Sequence, residues 1–119
     1  MSYPRSTRPL AIYGENMQPK QKQQIERMLK LMRATMIAKG YDYAGTDTLA
    51  NFKEVNRIGV STPVSIFVRL SDKYMRLTRF LNTDKLKVKS EQIEDTLLDL
   101  ANYAVLLSVA FKEQEEEKR

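Results

Sequence analysis

Along the chain the apolar residues return at helical spacing in three long stretches, and almost nowhere do they alternate as a half-buried strand requires. The first stretch opens at Pro19. Ile25, Met28, Leu29, Met32, Met36 and Ile37 keep one stripe until Gly40, which predicts a helix over 19–39. Ser61-Thr62-Pro63 offers a hydroxyl cap and then a proline where a missing N–H costs nothing. Ile66, Phe67, Leu70, Tyr74, Leu77 and Leu81 follow, predicting a helix over 63–81 with that face in the core. The third stretch, 90–115, is the longest. Ser90 is its expected cap, and Glu91, Glu94 and Asp95 offset the positive end of the helix dipole. Its stripe at 93, 97, 100, 101, 104, 107, 108 and 111 is apolar except for Ser108 and is expected to face the core.

The irregular stretch between Gly40 and Gly59 predicts a structured loop with a short helix near 47–57. The brief polar connector 82–89 makes the second and third helices antiparallel neighbours. The expected fold is therefore all-α, an antiparallel bundle of three main helices plus a short one. Residues 1–17, with two prolines and little periodicity, read as an extended arm whose patch Leu10-Ala11-Ile12-Tyr13 can pin it to a surface. Residues 18–115 form the single helical domain, and 116–119 a fraying charged tail. Because the third helix is apolar around most of its circumference, a three-helix monomer hardly covers it, and a homo-oligomer, a dimer or higher, is expected.

A composition of 42% hydrophobic and 29% charged residues fits a soluble globular domain, and no run is long enough for a membrane helix or a signal peptide, so a cytoplasmic protein is expected. There is no cysteine and no histidine. Thiol chemistry and Ser/His/Asp catalysis are thereby excluded, and any metal must be oxygen-bound, hence Mg²⁺ or Mn²⁺. The net charge of +5 is scattered, which permits nucleic acid without indicating it. A DNA-binding role would fall to Arg5, Arg8 and the lysine-rich connector.

Two stripes carry candidate chemistry. At about 100° per residue, Glu91, Asp95, Asp99 and Asn102 share one face of the third helix. Arg69, Asp72, Lys73 and Arg76 are neighbours on one face of the second. The simpler expectation is a structural ion-pair network between them. The functional expectation joins Asp72, Glu91 and Asp95 as an oxygen cage for Mg²⁺, with Arg69, Lys73 and Arg76 on phosphate oxygens and Asp99 orienting a water. In the loop, Tyr41, Tyr43 and Phe52 are candidates to stack on a planar base, with Asn51 and Asn102 reading hydrogen-bonding edges. Closure of the bundle end by those aromatics is the alternative.

The strings KGYDYAGTDTLANF from Lys39, RLSDKYMRL from Arg69 and EQIEDTLLDLANYA from Glu91 resemble the phage-type nucleotide-modification-associated domain, covering most of 39–104. That domain is loosely similar to the all-α nucleotide pyrophosphatases of the MazG and dimeric dUTPase type. The resemblance implies a helical bundle that often dimerises, Mg²⁺ held by carboxylates on two antiparallel helices, and hydrolysis of a (deoxy)nucleoside triphosphate to monophosphate and pyrophosphate in phage nucleotide metabolism. The superfamily signature is ExxE on one helix and ExxD on the next. Here Arg69 and Asp72 stand about where the two glutamates are expected, while Glu91, Asp95 and Asp99 run at steps of four. A non-catalytic nucleotide-binding or accessory module is the alternative this departure leaves.

Overall fold

The computed structural model describes residues 16–42, 47–83 and 89–118, for 40–42 the backbone alone. The arm's Arg5, Arg8 and Leu10 to Tyr13, the rings of Tyr41 and Tyr43, and connector residues 84–88 lie outside the described side chains. The chain is all-helical, with no strand among the described residues. In order come α1 (Pro19–Asp42), the short α2 (Ala50–Lys53), a 3-10 helix (Glu54–Ile58), α3 (Thr62–Leu81) and α4 (Ser90–Glu117). None is long and apolar enough to cross a membrane.

Local chemistry sets the ends. Ser61 is extended (φ −72°, ψ 155°), and its Oγ accepts from Val64 N–H at 3.3 Å, with Pro63 in the first turn of α3, as expected. Two ends differ from expectation. α1 runs through Gly40 to Asp42, since a glycine inside a helix costs only about 1 kcal/mol and does not stop it. At α4 the cap position falls on Lys89 instead of Ser90, and Gln92 Oε1 accepts from Lys89 N–H at 3.4 Å. Between the 3-10 helix and α3 the chain reverses at Gly59 (φ 85°), a left-handed conformation that glycine adopts without steric cost.

α3 and α4 are the main packed pair, and they run antiparallel: Lys73 meets Asp99, while Ser61 and Thr62 lie across from Glu113 and Glu117. α1 also packs on α4, through an apolar groove between Met28, Met32, Leu98 and Ala101 and a two-pronged contact of Arg27 with Glu94 (2.7 and 3.1 Å). That contact, by its hydrogen bonds first, raises the Arg27 pKa. α1 and α3 make little contact with each other. The core is small: Leu49, Phe52, Ile66, Leu106 and Ala110, with Met36, Tyr103 and Leu107 against it.

The packed faces are not all those expected. On α4 the buried residues are Thr96, Asn102, Leu106 and Ala110, whereas Leu97 and Phe111 of the expected stripe are exposed. Small Thr96 and Ala110 allow close approach on that side, and the Thr96 hydroxyl is satisfied by its own helix, donating to Gln92 C=O at 2.8 Å. On α3 Ile66 is fully buried, but Phe67, Tyr74 and Leu81 are exposed, as are Ile25, Leu29 and Ile37 on α1. Each apolar stripe is wider than its neighbouring helices cover among the described residues.

α2 is tied down by one lysine. Lys53 Nζ lies 2.7 Å from Asp47 and 3.2 Å from Glu113 of α4, and Asp47 Oδ1 accepts from Leu49 N–H at 2.9 Å. The Lys53 hydrogen bond, then that of Leu49, holds the Asp47 carboxyl below its usual range, and the same Asp47 contact raises Lys53. A depressed carboxyl stabilises the fold above its unfolded-state pKa and stops doing so as pH falls through the lower folded value. The raised lysine contributes below its unfolded-state pKa and stops as pH climbs through its higher folded value. Stability is therefore expected to decline below about pH 4, and Asp47→Asn to flatten that limb of a urea-midpoint profile. Both groups are well solvated, so the neutral-pH loss should stay under about 1 kcal/mol.

Candidate functional site

The charged faces of α3 and α4 meet at a cleft of about 330 Å³ lined by Arg76, Arg79, Phe80, Gln92, Asp95, Thr96 and Asp99. Arg76 and Arg79 come from one side of α3, and Asp95 and Asp99, one turn apart, from α4. Asp99 is the hub. Its Oδ2 lies 2.9 Å from Lys73 Nζ and its Oδ1 3.5 Å from Lys39 Nζ, so one carboxylate joins α1, α3 and α4. Both Lys73 and Asp99 are mostly buried, with side chains 21% and 28% exposed. Within a low-dielectric seam such a pair holds only with close geometry, which these distances supply.

One turn further along the same face, Asn102 is 4% exposed, and neither its amide nitrogen nor its amide oxygen has a hydrogen-bond partner among the described residues. An orphaned buried amide costs about 1 to 3 kcal/mol and calls for an explanation.

Of the residues expected from the sequence, the structure brings Lys73, Arg76, Asp95 and Asp99 together, with Asn102 beside them. Arg69, Asp72 and Glu91 are exposed and do not line the cleft. No three Asp, Glu, His or Cys side chains gather at metal-holding distance among the described residues, so Asp72, Glu91 and Asp95 do not converge as a cage. Asn51 is exposed on α2, and Phe52 is buried in the core, its ring edge-on to Tyr103 at 6.3 Å; neither borders the cleft. Of the expected network of Arg69, Lys73 and Arg76 with Glu91, Asp95 and Asp99, the Lys73–Asp99 bond is the part that forms among the described residues. Sequence reasoning missed Arg79, although its spacing of three from Arg76 was a usable signal. It also missed Lys39, whose place beside Asp99 depends on how α1 crosses α4 and has no local signature.

Set against protein-family models, curated proteins and solved structures, the chain matches none of them. The resemblance to a nucleotide-modification-associated domain therefore rests on the three quoted strings.

Proposed function

We propose that the protein binds a (deoxy)nucleoside triphosphate with Mg²⁺ in the α3–α4 cleft and hydrolyses it to monophosphate and pyrophosphate. The observation that carries this is the pairing of Arg76 and Arg79 with Asp95 and Asp99 around one cleft, a short step from the orphaned amide of Asn102. Guanidinium forks suit phosphate oxygens. From Asp95 to Asn102 is about 10 Å along the helix axis, the scale on which a nucleotide separates its phosphates from its base.

The donor set fits a Mg²⁺ that arrives with the phosphates and would be held by the exposed carboxylate of Asp95 better than a resident cage. When bound, the ion would polarise the phosphate and lower the pKa of an attacking water. Arg76 and Arg79 would hold the phosphate chain, and Asn102 would pair with a base edge once local opening exposes it. The unit that acts is an oligomer, since two neighbours leave the apolar side of α4 partly uncovered.

Binding without turnover is the second reading. It is favoured by the engagement of both Asp99 oxygens with lysines, which leaves that carboxylate poorly placed to orient water. A panel of ribo- and deoxynucleoside triphosphates with Mg²⁺, scored for thermal shift and for pyrophosphate release, tests both. Arg76→Ala with Arg79→Ala is expected to weaken binding tenfold or more, in line with the loss of two charge-assisted contacts, each worth about 1.5 kcal/mol or more. No shift and no release with any nucleotide would end the proposal; a shift without release selects the second reading.

A further inference from the structure

α1 and α4 leave an open groove of about 320 Å³ between them, walled by Ile25, Leu29 and Met32 on one side and by Leu97, Leu98 and Ala101 on the other. Its lining is almost all carbon, with Gln24 the one polar residue among those described. Ile25, Leu29 and Leu97 remain 39% to 55% exposed, so an apolar seat stays open along the outer side of the α1–α4 contact. Such a seat suits an apolar stretch of chain, because a polar ligand would give up its hydrogen bonds to water there.

We propose that the occupant is this chain's own arm, with Leu10-Ala11-Ile12-Tyr13 laid in the groove. The arm, residues 1–15, joins the described chain at Asn16, three residues before Pro19. Extended, the six steps from Pro19 back to Tyr13 span about 20 Å and the nine back to Leu10 about 30 Å. Ile25 and Met32 lie about 9 and 20 Å from Pro19 along α1, so the patch reaches the groove with chain to spare for the reversal. Side chains alternate in extended chain, which sends Leu10 and Ile12 into the groove together and leaves Ala11 and Tyr13 on its rim. Charge fits as well. The contacts Arg27–Glu94 and Lys39–Asp99 rise together in number, so α1 and α4 run in the same general direction, and an arm doubling back along α1 heads toward the end of α4. There Glu115 and Glu116 stand eighteen residues, five turns, beyond Leu97 and Leu98, on the face that walls the groove. That is about 27 Å along α4, and Arg5, about 23 Å of extended chain beyond Ile12, comes within side-chain reach of the two carboxylates. Arg8 follows the same path, basic against acidic. A tether this short sets an effective concentration on the order of millimolar, which favours the arm over a free partner. The proposal stands apart from the nucleotide reading and from the number of copies in the assembly.

The chain has no cysteine and no tryptophan, so single probes can be placed without competition. Under mild oxidation of the full chain, Ile12→Cys with Leu29→Cys is expected to form an intrachain disulfide about tenfold faster, or more, than Ile12→Cys with Phe67→Cys, whose second site is as exposed but lies on α3 outside the groove. Non-reducing electrophoresis separates the products by mass. Equal or reversed rates overturn the proposal, and so does a main product of doubled mass with Leu29→Cys, since the groove then holds the arm of a second copy. Ile12→Trp gives an independent check: its emission is expected to lie at shorter wavelength than in the urea-unfolded chain. Leu29→Glu should return it toward the unfolded position with the helical circular dichroism retained. Should Leu29→Glu loosen α1 itself, Arg5→Glu with Arg8→Glu is read in its place, because it leaves the described helices untouched, and the same return is expected. Solvent-like emission in the Ile12→Trp chain overturns the seat, as does a shift that neither variant reverses. No nucleotide enters these readouts, so failure here and failure of the nucleotide reading are told apart.

Discussion

Replacing Asn102 with leucine is expected to raise the free energy of unfolding by about 1 kcal/mol, the low end of the range for relieving a buried unsatisfied amide, because the bulk of leucine offsets part of the gain. The two side chains share one branched arrangement of four heavy atoms, leucine being the bulkier, so the change exchanges an amide with no partner for carbon in a site that is 4% exposed, at some cost in crowding. Asn102→Ala is the control: it removes the same polar atoms but opens a void, and the two effects should nearly cancel. Urea melts at neutral pH measure both. If the amide is held for a ligand, Asn102→Leu should at the same time abolish the nucleotide-dependent thermal shift. A clear loss of stability on both Asn102→Leu and Asn102→Ala, beyond what crowding and a void cost, would mean that the amide is satisfied in solution, and the base-reading role would lose its basis.

The second large effect is expected at Asp99. Asp99→Asn leaves Lys73 and Lys39 without their anion where three helices meet, and a loss of about 2 kcal/mol is expected with chelator present. That figure lies between the worth of surface pairs and the 3 to 5 kcal/mol that follows breaking a fully buried one. Asp95→Asn alters an exposed carboxylate in the same cleft and should move metal-free stability by less than about 0.5 kcal/mol. Its effect should instead appear as weaker Mg²⁺-dependent nucleotide binding. Urea melts of the two variants, run beside nucleotide titrations, thus separate the carboxylate that holds the fold from the one left available to a ligand. Equal and small stability changes at both positions would contradict the hub role of Asp99.

The helices were legible because their causes are local. Ser61 and Pro63 announce the start of α3 through a hydroxyl and a missing donor, and the 3.6-residue period persists through each long helix. Which side of a helix would be covered was not legible. On α4 the stripe through Leu97 and Phe111 is richer in carbon than the face through Thr96, Asn102 and Ala110, yet the second face is the buried one. That choice depends on the partner helix, where Lys73 needs an anion and the backbone needs small residues opposite. The site divides the same way. Asp95, Asp99, Lys73 and Arg76 could be found from spacing within single helices. Lys39 reaches Asp99 only because α1 crosses α4 at a particular height, and the burial of Phe52 depends on where the short helix α2 is laid down.

α1 has no fully buried residue between Pro19 and Lys39, and it is held chiefly by a half-open apolar groove, the Arg27–Glu94 fork and the Lys39–Asp99 contact. Proteins open in cooperative units, and the unit with the fewest buried contacts opens first. Among the three long helices described, α1 is thus expected to exchange its amides first, before α3 and α4 come apart. Each such opening carries Lys39 away from Asp99, one turn from Asn102. The lifetime of the α1 docked state then sets how often Asp99 is left to Lys73 alone.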